Sequence, residues 1–125
     1  MSSESPGIVV LATAVSPEEL ARLVSQDYGD MVKYVADVDR ERIALGGHMH
    51  AEAQRVLLAA GSDPASLWGA KYLPGRGRER CIEYTSQINI RPSQGNPSAE
   101  ILDPEIRARV RDLTFALVGT GEKLP

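Results

Sequence analysis

The sequence predicts an α+β domain of two layers, with a mostly antiparallel or mixed sheet and its helices on one face. Three observations predict it. Short apolar runs alternate with three segments of helical periodicity, giving the order β-α-β-β-α-β-β-α. Two pairs of strands are separated only by short turns, which makes them antiparallel hairpins. Each helical segment carries a single apolar stripe, the pattern of a helix packed on one sheet surface.

Residues 1–6 are small and polar and read as a disordered N-terminal end. Ile8 to Thr13 is a β-branched run and reads as a buried strand. Ser16-Pro17-Glu18-Glu19 then opens a helix, with Ser16 as the cap, Pro17 at the first helical position and Glu19 completing a capping box. Leu20, Leu23 and Val24 form its stripe, and Tyr28-Gly29-Asp30 ends it.

Met31 to Gly47 reads as a hairpin, although its turn at Asp39-Arg40-Glu41 lacks the Gly or Asn that tight turns favour. His48 to Ala60 is a second helix, with Met49, Ala53, Val56, Leu57 and Ala60 on one face and Gly61 at its end. Ser66 to Leu73 is a fourth strand. The basic turn Pro74 to Arg78 leads into a long fifth strand from Cys81 to Ile90, in which Ile82, Tyr84, Ile88 and Ile90 share the apolar side. Ala99 to Leu102 suits a short edge strand. Asp103-Pro104 opens the last helix, whose stripe is Ile106, Val110, Leu113 and Leu117. The assignment is thus one domain over residues 7–119, with a flexible C-terminal end at 120–125.

Composition narrows the class. An apolar fraction of 42% and a charged fraction of 25% match ordinary globular domains. A net charge of −3 argues against general binding to nucleic acid. One cysteine, Cys81, excludes an internal disulfide and a cysteine-based zinc cluster. No apolar run approaches the roughly 18 residues of a membrane span, and the opening residues lack the pattern of a secretion signal, so the expected location is cytoplasmic. No cofactor is indicated.

The run Ala44-Leu45-Gly46-Gly47-His48-Met49-His50-Ala51, then Leu57-Leu58, Gly61-Ser62 and Leu67-Trp68-Gly69, is followed by Ile88-Asn89-Ile90-Arg91-Pro92-Ser93-Gln94-Gly95-Asn96. Together these resemble a family of short bacterial proteins known only as a domain of unknown function, over roughly residues 30–118. The chain departs from that family's pattern at His48, where an acidic residue is usual, and at Pro97, where arginine is usual. The resemblance implies a domain and no catalytic residues.

The leading functional expectation is a small recognition module that binds an anion, a polar metabolite or an acidic protein segment through the loop Arg91–Ser98. A guanidinium offers a fork of donors suited to carboxylate or phosphate. Ser93, Gln94, Asn96 and Ser98 add side-chain groups, and Gln87 and Asn89 lead into the loop on the same polar strand row as Arg91. The plainer alternative is that Arg91 pairs with a nearby carboxylate and the small residues satisfy turn backbone.

An enzyme of hydrolase type is the competing expectation, using His50 with Glu83, or a metal held by His48 and His50. Histidines two apart share a metal only on extended chain, because on a helix they diverge by roughly 200°. A third reading is nucleic-acid contact through the tip Arg76–Arg80, with Lys71, Tyr72 and Tyr84 nearby; a solvated turn is the plainer account. Phe115 falls opposite the stripe of the last helix, so Phe115 and Val118 are candidates for contact with a second subunit, as in a homodimer.

Overall fold

A computed structural model describes residues 7–125. The disordered end expected at 1–6 lies outside the described residues. The strands are β1 (Ile8–Leu11), β2 (Val32–Asp37), β3 (Arg42–Gly46), β4 (Leu67–Tyr72) and β5 (Ile82–Glu83). The helices are α1 (Pro17–Asp27), α2 (His50–Ala59) and α3 (Pro104–Leu117). All strand pairs are antiparallel, in the order β1-β3-β2-β4-β5. The α+β class and the succession of elements are therefore those read from the sequence. Among the described residues no helix is long and apolar enough to cross a membrane.

The layering differs from expectation, because the helices cover both faces of the sheet. Along β2, Tyr34 and Ala36 face the core formed with α1 and α3, while Val35 faces a second core with Ala53 and Leu57 of α2. Leu67 of β4 and Ala44 of β3 join that second core. The central strands are thus buried on both sides, which accounts for near-continuous apolar runs such as Leu67-Trp68-Gly69-Ala70. Fully burying Leu57 contributes on the order of 2 kcal/mol.

Caps and turns follow local chemistry. The Ser16 hydroxyl accepts from the Glu19 N–H at 3.1 Å, and the Asp103 carboxylate accepts from the Glu105 N–H at 2.8 Å. The β2–β3 turn needs no glycine. Buried Asp37 accepts from the N–H groups of Asp39 and Arg40 and from the Ser62 hydroxyl at 2.6 Å, and Glu41 takes a left-handed conformation at φ 55°. In α3, Thr114 donates to the Val110 carbonyl and accepts from the buried Tyr34 hydroxyl, each at 2.7 Å. Helix α2 starts two residues later than expected. Met49, placed on its core face by periodicity, precedes the helix and is 62% exposed.

The largest local correction concerns the long fifth strand. Only Ile82 and Glu83 pair with β4; Thr85 makes one bridge to Glu100, which is also all that remains of the strand expected at 99–102. Gln87–Asn89 then forms a 3₁₀ turn, with the Ser86 hydroxyl accepting from the Ile88 N–H. The expected alternation breaks accordingly. Ile82 packs in the α1/α3 core, Ile88 packs against the α2 core, Ile90 is exposed, and Cys81 is fully buried.

At the other end of the chain, the Gly75 N–H donates to the Glu122 carbonyl at 2.9 Å and the Gly77 N–H to the Gly121 carbonyl at 3.0 Å. The segment 120–125, read from sequence as a flexible end, therefore begins hydrogen-bonded to the 74–78 turn.

Candidate functional site

The loop Arg91–Ser98 lies at the surface, but Arg91, Asn96 and Ser98 spend their side-chain groups on the protein's own backbone. The Arg91 guanidinium lies over the Trp68 ring at 4.0 Å from its centroid and donates to the carbonyls of Pro64, at 2.8 Å, and Leu67. Burial holds its pKa below the ordinary arginine value. Gln94 accepts from Arg91 and donates to the Ala65 carbonyl, both at 3.3 Å. Ser98 accepts from the Glu100 N–H, and Ser93 is exposed. Replacing Arg91 with alanine is expected to cost about 2 kcal/mol of stability, since the Trp68 contact and the bonds to two carbonyls go together. Urea unfolding measures it, and a change within about 0.3 kcal/mol would contradict the clamp.

Asn89 and Asn96 are structural as well. Asn89 is fully buried; its side-chain oxygen accepts from the Gly69 N–H at 2.8 Å, and its amide donates to the carbonyls of Gly69 and Ala99 at 3.0 and 3.1 Å. This side chain takes the place beside β4 that a longer β5 would have filled. Asn96 donates to the carbonyls of Asn89, Ser98 and Glu100 and accepts from the Leu102 N–H.

The other expected pairings do not form. His48 is exposed, with Nε2 3.5 Å from Asp27, whereas His50 is buried and bonds the Ala70 carbonyl. The two histidines thus serve different elements, and no group of three metal-ligating side chains occurs among the described residues. Glu83 is exposed on β5, makes no hydrogen bond with His50 and does not line the cavity that His50 lines. Arg78 stacks on Phe115 at 4.6 Å, on the opposite side of the sheet from Lys71, so these two basic residues do not share one surface. Phe115 is half-buried under that arginine and Val118 is in the core. Phe115 is thus less exposed than expected, because Arg78 from the segment after the 74–77 turn lies over its ring.

A cavity of about 530 Å³ opens instead between the start of α2, the ends of β2 and β4, and residues 85–88. Of the loop residues expected to bind, only Gln87 lines it. Lys33 and Lys71 lie directly opposite each other on neighbouring strands, on the α2 face of the sheet. Like charges directly opposite each other on neighbouring strands are destabilising. Lys33 donates to the His48 carbonyl at 3.0 Å and sits 5.1 Å from the Tyr28 ring centroid. Among the described residues Lys71 has no hydrogen-bond or ion-pair partner, and neither lysine is paired with a carboxylate. Its other cross-strand neighbour, Glu83, makes no ion pair with it.

His50 forms part of the cavity wall at the first turn of α2, where backbone N–H groups have no helical partner. Its Nε2 donates to the Ala70 carbonyl at 2.8 Å, since a carbonyl can only accept. Burial, together with the two lysines, lowers the imidazole pKa to about 4, so it is neutral near pH 7. Gly69 makes the close approach feasible. A Cβ there would lie 2.6 Å from the Ser86 Cβ and 3.0 Å from the His50 Cδ2.

Met49, Ala51, Ile88 and Ala99 give the cavity an apolar side, and Thr85, Ser86 and Gln87 a polar one. Sequence reasoning gave Lys33 no role and placed Lys71 with the basic tip. What unites them is a strand register that no local pattern displays.

The chain belongs to the family described as Protein of unknown function (DUF5674), whose model matches residues 9–117. No match is found among curated proteins or solved structures.

Proposed function

We propose that the protein is a recognition module for a small organic anion, held in the cavity over Lys33 and Lys71. The observation that carries this reading is the cross-strand lysine pair, neither ammonium of which makes an ion pair among the described residues, although Glu83 stands opposite Lys71 on β5. An anion placed there relieves their repulsion and accepts charge-assisted hydrogen bonds from both. The start of α2 adds dipolar attraction of the same sign. The apolar side formed by Met49, Ala51 and Ile88 favours a carboxylate with a short hydrocarbon body over inorganic phosphate. Anion recognition, expected from sequence at the Arg91 loop, is thus assigned to a different place, with Gln87 as the shared residue.

Titration calorimetry with propionate and with inorganic phosphate tests it. Propionate is expected to bind saturably and more tightly than phosphate, and Lys71→Met to weaken propionate roughly tenfold, the effect of losing one charged hydrogen bond. Absence of saturable binding, or a Lys71→Met protein with unchanged affinity, would refute the reading.

A further inference from the structure

Resting on that reading, we infer that the cavity selects 2-hydroxy acids, with His50 Nδ1 as the acceptor that reads the hydroxyl. The imidazole is oriented by two contacts on one edge. Nε2 bonds the Ala70 carbonyl, and Cδ2 is turned toward Gly69 on β4. The Nδ1 edge is therefore the one turned away from β4, and Nδ1 makes no hydrogen bond among the described residues. With the proton committed to Nε2, Nδ1 carries a lone pair and no hydrogen, so it can only accept.

A ligand that satisfies the whole site then presents an anionic group to Lys33 and Lys71 and a donor to Nδ1. The donor must be neutral. Burial first, and the two lysines after it, disfavour protonation of the imidazole, and an α-ammonium beside it would meet the same desolvation and the same like charges. A hydroxyl next to the carboxylate meets both requirements, and an α-amino acid meets only the first. The hydrocarbon remainder lies toward Met49 and Ile88.

The test compares propionate, lactate and alanine, which differ only at the second carbon, by titration calorimetry and by amide chemical-shift changes on wild type and on His50→Leu. Leucine offers no acceptor, whereas the amide oxygen of a glutamine could still accept from the hydroxyl. Lactate is expected to bind roughly fivefold tighter than propionate, the worth of one neutral hydrogen bond, and alanine weaker than either. In His50→Leu, propionate should still bind, which shows the cavity intact, and lactate and propionate should become equal. If wild type binds propionate and lactate equally, selection of a hydroxyl is overturned while anion recognition stands. If lactate keeps its advantage in His50→Leu, His50 is not the reader. If none of the three binds saturably, both this inference and the anion reading fall.

Discussion

Replacing Asn89 with alanine is expected to lower the free energy of unfolding by about 3 kcal/mol, although no ligand or charge is involved. One buried amide satisfies three backbone groups, the N–H and carbonyl of Gly69 and the carbonyl of Ala99. Removing it leaves them inside the protein, beside the close Gly69–Ser86–His50 contact, where water has little room. Each buried unsatisfied group costs roughly 1–3 kcal/mol, partly recovered by relaxation. Asn89→Asp separates hydrogen bonding from packing. It keeps the volume and the acceptor for the Gly69 N–H, and it turns a carboxylate oxygen toward two carbonyls. Its loss of stability is expected to equal or exceed that of alanine near neutral pH. Urea unfolding of both variants decides the matter; losses below about 1 kcal/mol in each would show that Asn89 is not what closes the edge of β4.

Acidification from pH 7 to 4 is expected to remove about 3 kcal/mol of stability through His50 alone. The folded imidazole has its pKa lowered to about 4 by burial and by Lys33 and Lys71, against an ordinary value of 6.5. Below pH 6.5 the unfolded chain takes up a proton that the folded chain refuses. The contribution is therefore complete above about pH 6.5, declines as pH falls, and is gone near pH 4. Asp39, held low by its bonds from Ser66 and Arg109, and Glu122, held low by Thr120, lose their contributions in a more acid range, and they do so with or without His50. The stability difference between wild type and His50→Gln should thus vary with pH between about 4 and 6.5 and be flat above. Parallel curves across that window would show that His50 titrates normally in the folded protein.

Arg91 and Lys71 show how far the sequence reaches toward the site. Arg91 stood out because arginine among small polar residues resembles an anion-binding loop, yet the same chemistry serves backbone carbonyls as well as a ligand. The carbonyls of Pro64 and Leu67 lie far away in sequence, so nothing local marks them as its partners. Lys71 read only as one more charge near the basic tip, because nothing local sets it apart from Arg76, Arg78 and Arg80. It gains meaning only through Lys33 on the neighbouring strand and His50 at the start of α2. Residues 81–90 failed for a related reason. Period-two alternation says that a stretch suits a strand, but not whether a partner strand is available at its edge, and here the Asn89 side chain occupies that edge.

By itself, the sequence determined the elements: their order, the capped starts of α1 and α3, the antiparallel hairpins and the α+β class. These rest on interactions within a few residues of each other, such as Ser16 with Glu19 and Asp103 with Glu105. Tertiary structure alone decided that α2 lies on the opposite face from α1 and α3, that Arg91 and Asn89 are consumed inside the fold, and that two lysines and a neutral histidine share one cavity. Each of these depends on strand register and on the competition of distant groups for the same hydrogen bonds. Such outcomes emerge only when the whole chain is packed at once.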